Sequence, residues 1–113
     1  MPFRQPALVV SLCKAPDYTL VVVSGELDIA TAPQLRQAVT EALSEGPSTL
    51  HLDLSGVSFI DCAGLQVLII GEREARLRRG RLLLRRSSAH VDRLRDLTAV
   101  HFDSVDISNH TER

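Results

Sequence analysis

The chain has 113 residues, of which 44% are hydrophobic, and this is the size and composition of one globular domain with one core. Its formal net charge of -1 argues against a dedicated nucleic-acid binder, and no apolar run approaches the roughly 18 residues of a membrane helix. The first residues have neither a basic segment nor a small-residue cleavage site, so we expect a soluble, cytoplasmic domain.

The cysteines and histidines exclude two further classes of protein. Cys13 and Cys62 are too few for a disulfide scaffold, and the histidines are scattered without metal-ligand spacing. We therefore expect no metal and no cofactor. Nor does the chain contain a nucleophile and base pair that the sequence makes obvious, or a glycine-rich phosphate loop, so we do not expect an enzyme.

The first half of the chain predicts two strands and a helix. Residues 7–12 and 18–23 read as an antiparallel hairpin, with the second strand broken by Ser24-Gly25. Thr31 is followed by proline in the first turn and by glutamine three residues on, which predicts a capping box. The helix that it opens should end at Gly46-Pro47.

The second half predicts alternating strands and helices. Leucines at 50, 52 and 54 alternate with polar residues and begin a strand that runs to residue 60, and Asp61 is placed to cap the next helix. The later elements are a helix ending at 78–80, a strand over 81–85, a helix from Ser87 or Ser88 to about Leu97, a possible edge strand over 105–107 and a polar tail over 108–113. We therefore expect residues 1–113 to form one α/β domain, with its core at about 7–107, of order β-β-α-β-α-β-α and a mixed sheet of four to five strands.

Two loops are the candidate site. Strand–helix–strand crossovers imply parallel strands, and sites in such sheets lie beyond the carboxyl ends of the strands, at helix N-termini. Residues 25–31 and 61–64 follow neighbouring strands, so both loops should lie at the same end of the sheet.

Cys13 should lie at the opposite end from Cys62, which argues against a disulfide between them. The arginines between residues 73 and 95 indicate either a solvated face or a docking face for an acidic partner.

These loops carry a resemblance to a known family. "SGELDIATAPQL" followed by "LDLSGVSFIDCAGLQVLI" resembles a STAS domain of the anti-anti-sigma factor type, and the likeness spans almost the whole chain. The resemblance implies a single STAS domain that binds an anti-sigma factor with serine kinase activity and so frees a sigma factor. Independently of the resemblance, the free edge expected at the first hairpin could pair with a second copy, and we expect a monomer or weak dimer. The charge and the lack of a long apolar run lead us to expect no nucleic-acid partner and no membrane span. The partner-binding positions that the resemblance implies are Asp28, Thr31, Asp61, Cys62, Ala63, Gly64 and Leu65.

Cys62 departs from the family pattern. The family's kinase phosphorylates a serine directly after the aspartate of a D-S-[ST]-G-L motif, and here "DCAGL" places Cys62 and Ala63 at the two hydroxyl positions. Three interpretations stay open: an inert cysteine in a domain that always binds, a thiol-based redox sensor, or a scaffold or ligand-binding module with another partner. A helix N-terminus favours a thiolate, whereas the neighbouring Asp61 disfavours a second negative charge.

Most of the implied site residues also have a purely structural explanation. Asp28 could be a turn residue, Thr31 and Asp61 could be helix caps, and Leu65 could belong to the core. Gly64 could allow the close approach of either the partner or a neighbouring stretch of backbone. The structure can separate these explanations.

Overall fold

A computed structural model describes residues 7–105 and confirms the predicted order of elements. The polar tail predicted over 108–113 lies outside the described residues. The elements are β1 (Leu8–Lys14), β2 (Thr19–Leu27), α1 (Ala32–Glu45), β3 (Leu50–Ile60), α2 (Cys62–Leu77), β4 (Leu82–Arg86) and α3 (Ala89–Thr98).

The strands form one mixed sheet, as predicted, and lie in it in the order β1-β2-β3-β4. β1 and β2 form the antiparallel hairpin, and β2, β3 and β4 run parallel to one another. The predicted last strand is represented by a single parallel bridge between Ser104 and Leu84, beside which the Val105 amide donates to the Leu84 carbonyl over 3.0 Å. Residues 106 and 107 lie outside the described residues.

The prediction that Ser24-Gly25 breaks the second strand is wrong. The parallel pairing of β2 with β3 continues to the pair Leu27 and Ile60, so β2 extends to Leu27. Register shifts accommodate the irregular stretch, and Gly25 has φ of 103°, a conformation that side chains disfavour. A Cβ at Gly25 would also collide with the Ala7 carbonyl oxygen.

The core lies between the sheet and helices α1 and α2. The alternating leucines of β3 are all buried, and so are the residues of α1 and α2 that face the sheet. Each such leucine contributes on the order of 2 kcal/mol to folding through the apolar surface that it removes from water. The core members on β3, α1 and α2 include Leu50, Leu52, Leu54, Leu35, Val39, Leu43, Leu65 and Leu68.

The two cysteines lie at different ends of the sheet. Cys13 pairs with Leu20 at the start of β2, whereas Cys62 follows the end of β3, so the cysteines lie at opposite ends of the sheet and both are free and exposed. This confirms that they do not form a disulfide with each other.

None of the helices within residues 7–105 has the length and apolar character that a membrane span requires.

Candidate functional site

The two loops predicted as a site meet at the carboxyl ends of β2 and β3. Leu27 and Ile60 are paired across the parallel strands, and the Asp61 amide donates to the Leu27 carbonyl over 3.2 Å. The turn after β2 and the start of α2 are therefore joined directly by backbone. This confirms that both loops lie at the same end of the sheet.

Asp61 caps α2 as predicted. Its backbone is extended, with φ of -117° and ψ of -175°, and its carboxylate accepts from the Gly64 amide over 3.0 Å. The negative charge also faces the positive end of the helix dipole. The carboxylate thus holds the first turn of α2, and through it the position of Cys62.

Gly64 is buried because α2 rests directly on the end of β2. A Cβ at this position would lie 2.6 Å from the Leu27 carbonyl oxygen, 2.7 Å from Leu27 Cγ and 3.2 Å from Ile60 Cγ1. No real side chain tolerates the first two distances, so the backbones could not approach as closely with any other residue. The glycine is explained by neighbouring backbone, without reference to a partner.

The turn after β2 is held by reciprocal bonds between Asp28 and Thr31. Asp28 Oδ1 accepts from the amides of Ala30, over 3.0 Å, and Thr31, over 3.1 Å. Thr31 Oγ1 in turn accepts from the Asp28 amide over 3.0 Å and donates to the Glu26 carbonyl over 2.7 Å. Such short side-chain bonds to nearby backbone fix the conformation of the turn.

The predicted capping box is wrong. Thr31 is the N-cap of α1 by position, but its side chain makes no capping bond, and its own backbone is already helical. The hydroxyl is directed back to Asp28 and Glu26 instead. Gln34, the expected second member of the box, donates to the Leu8 carbonyl of β1 over 3.2 Å.

Cys62 is the first residue of α2 and is exposed, and Ala63 beside it is half-buried. Cys62 lies at one end of a shallow groove of about 330 Å³ between α2 and the segment that follows α3. Its lining is mostly apolar and includes Ile69 and Val100. Among residues 7–105 no group of three or more histidine, cysteine, aspartate or glutamate side chains is placed to hold a metal ion.

Leu65 belongs to the core. It is only 3% exposed, so its side chain fixes α2 against the sheet, and its small exposed part lines the groove that begins at Cys62. Of the positions that the resemblance implies, Asp28, Thr31, Asp61, Cys62 and Ala63 are exposed or half-buried, whereas Gly64 and Leu65 are buried.

Two exposed apolar residues at this end of the molecule were missed from the sequence. Ile29 lies in the turn with 77% of its surface exposed, and Phe59, two residues before Asp61, is 48% exposed. An isoleucine inside a turn was the available signal for the first. Phe59 had no such signal, because its outward direction depends on the irregular register of β3 with β2.

These features define a class of small α/β domain. The elements follow the order β-β-α-β-α-β-α along the chain and form a mixed sheet with helices packed on it. At the carboxyl ends of the parallel strands, the aspartate-capped N-terminus of α2 lies beside the rigid turn that follows β2. The profile of the family described as "Mlab, STAS domain" matches residues 10–101. The chain belongs to the STAS domain family.

Several relatives of this chain carry the name of anti-sigma factor antagonist. The anti-sigma-B factor antagonist of Bacillus subtilis is 33% identical over 92 residues, which are 81% of this chain and 83% of that protein. The crystal structure of an anti-sigma factor antagonist from Mycobacterium paratuberculosis is 27% identical, with a TM-score of 0.69, and the match covers 81% of this chain and 78% of that one. A structure from Thermotoga maritima, 23% identical with a TM-score of 0.76 over 91% of this chain and 92% of that one, shows likeness of fold.

Proposed function

We propose that this chain is an anti-sigma factor antagonist that acts in the cytoplasm by binding alone, with no catalytic step. Its partner is an anti-sigma factor with serine kinase activity, and binding frees the sigma factor that the partner would otherwise hold. The names of its relatives support this role. The direct backbone bond between the two loops supports them as the location of the contact surface.

The contact surface that we propose consists of Asp28, Ile29, Phe59, Cys62 and Ala63, and we call it the loop surface. Ile29 and Phe59 bring exposed apolar area, and large apolar side chains that become buried are the usual source of binding energy at protein interfaces. The turn and the helix cap hold both loops rigidly, so little conformational entropy is lost on binding.

The observation that carries the proposal is the exposed Cys62 at the first position of α2. In the family pattern, a serine here receives a phosphate of charge about -1.5 to -2, beside an aspartate and within the interface, and this charge repels the partner. A thiol does not replace the serine hydroxyl as phosphate acceptor, and Ala63 has no hydroxyl either. The partner's kinase therefore cannot release itself from this chain by phosphorylating that position.

Direct binding tests the loop surface. The purified chain is titrated calorimetrically with each kinase-type anti-sigma factor of its own organism. We expect Ile29→Asp and Phe59→Asp to weaken binding at least about tenfold, or 1.4 kcal/mol, because each buries a charge in an apolar contact. Leu77→Asp is the control, because Leu77 is apolar, is about as exposed as Ile29 and lies at the end of α2 away from Cys62. Equal losses in all three variants, or no binding by the wild type, would contradict the proposal.

A thiol sensor is the rival function, and the exposure of Cys62 at a helix N-terminus is what favours it. Cys13 is a control within the same chain, because it is also exposed but lies near the end of a strand. A sensor predicts that Cys62 is alkylated much faster than Cys13 near neutral pH. Equal rates at the two cysteines would remove the sensor and leave the binding proposal in place.

A further inference from the structure

β1 is the outermost strand of the sheet. At the opposite edge, β4 is bridged by Ser104, and the amide of Val105 bonds to Leu84. Within residues 7–105 no strand lies beyond β1. β1 is therefore the free edge of the described sheet.

The hydrogen-bond pattern shows which backbone groups of β1 point outward. The Glu26 amide donates to the Ala7 carbonyl over 2.7 Å, and the Ala15 amide donates to the Tyr18 carbonyl over 2.8 Å. Bonded and non-bonded pairs alternate along an antiparallel ladder, and the register between these two ends is continuous. The outward amides and carbonyls are therefore those of Leu8, Val10, Leu12 and Lys14. The bond from Gln34 to the Leu8 carbonyl agrees with this pattern, because it reaches β1 from outside the hairpin.

This edge lacks the features that usually prevent strands from pairing. Residues 8–13 contain no charge and no proline, and a single lysine, Lys14, stands at the end of the strand. Val9 and Leu12 are 44% and 40% exposed, one on each face of the sheet. Natural proteins generally protect a free edge with charges, prolines or bulges.

We propose that two copies of this chain associate through β1, antiparallel to each other about a two-fold axis at Ser11, so that their two four-stranded sheets become one. This register uses the whole strand and matches the outward groups. Val10 exchanges backbone hydrogen bonds with Leu12 of the second copy, and Leu8 does so with Lys14. Ser11 faces its own equivalent, and Val9 faces Cys13, as the closer non-bonded pairs.

The contact is small, and the dimer should be weak. Seven residues of strand span about 24 Å, and a single strand pair buries less than the roughly 1,200–2,000 Å² of a stable interface. Gln34 also competes for the outermost carbonyl at each end. The loop surface lies at the carboxyl ends of β2 and β3, away from the outer side of β1, so this inference does not rest on the proposed function.

Crosslinking tests the register. In a chain lacking both native cysteines, Ser11→Cys should form a disulfide dimer under mild oxidation with diamide, because facing non-bonded residues have Cα atoms about 4.5 Å apart. Val9→Cys should crosslink when Cys13 is retained and fail when Cys13 is replaced by serine, with Cys62→Ser present in both. Crosslinking of Val9→Cys without Cys13, or none by Ser11→Cys, would overturn the proposed pairing.

Sedimentation equilibrium over a concentration series tests the association itself. The wild type should show a reversible dimer, and Leu12→Lys should reduce the association constant at least about tenfold, because it places charges beside Val10 in the apolar centre. Leu97→Lys, on a more exposed leucine of α3, should leave it unchanged. A wild type that stays monomeric at millimolar concentration, or a dimer that Leu12→Lys does not weaken, would overturn the proposal.

Discussion

Replacing Gly64 by alanine tests the close approach of α2 to β2. The new methyl group would lie 2.6 Å from the Leu27 carbonyl oxygen, and this oxygen is held by its bond from the Asp61 amide. Leu27 is fully buried, so neither its backbone nor its side chain has room to give way. The helix must move instead, and Asp61 and Cys62 must move with it.

The net effect combines two opposing terms. Alanine is favoured over glycine in a helix by about 1 kcal/mol, whereas overpacking a core costs about 1–3 kcal/mol. A collision with a fixed backbone atom belongs at the upper end of that range, so we expect a net loss of about 2 kcal/mol. For a domain of this size, this loss corresponds to a fall in Tm of roughly 8 °C, since the unfolding entropy is about 2.1 cal/mol/K per residue.

Gly71→Ala is the matched control in the same helix. Gly71 is also buried in α2, but its Cβ would meet only the side-chain ends of Leu82 and Val39, at 3.2 and 3.3 Å. These can shift by a few tenths of an ångström, and the gain in helix propensity offsets the cost, so we expect a change within about 0.5 kcal/mol. Urea unfolding followed by circular dichroism measures both variants. A Gly64→Ala protein as stable as wild type, or more stable than Gly71→Ala, would refute this account of the helix contact.

The helix cap and the turn give two further predictions. Asp61→Ala should lower the free energy of unfolding by about 1 kcal/mol, because it removes the cap. Asp61→Asn should lower it much less, because asparagine also caps a helix, and equal losses in the two variants would contradict the capping role. Thr31→Val removes the bonds to the Asp28 amide and the Glu26 carbonyl, and should cost about 1–2 kcal/mol in urea unfolding. Thr31→Ser keeps the hydroxyl and should lose less, so a serine variant no more stable than the valine variant would count against the turn bonds.

The order of elements and the place of the site followed from local signals in the sequence. The alternating leucines of β3 marked a buried strand, and Asp61 marked the start of α2, because each signal depends only on neighbouring residues. Parallel crossovers then required both loops to lie at one end of the sheet, and the pairing of Leu27 with Ile60 confirms it.

The errors arose where residues outside the predicted element decide its structure. Ser24-Gly25 reads as a break, but β3 supplies a partner for the backbone and β2 continues through it. Thr31 has the spacing of a capping box, yet its hydroxyl is taken by the turn before it. The exposure of Phe59 depends on an irregular register that one strand's sequence does not reveal.

The most direct test of the central claim is the effect of ATP on the complex with the anti-sigma factor. The wild-type chain and Cys62→Ser are each bound to the purified kinase-type anti-sigma factor, ATP and Mg²⁺ are added, and dissociation and intact mass are followed together, with Cys13→Ser as control. We predict that the wild type and the control stay bound and unmodified. We predict that Cys62→Ser gains one phosphate, about 80 Da, and dissociates. Phosphorylation and release of the wild type, or no complex with any such partner, would contradict the account.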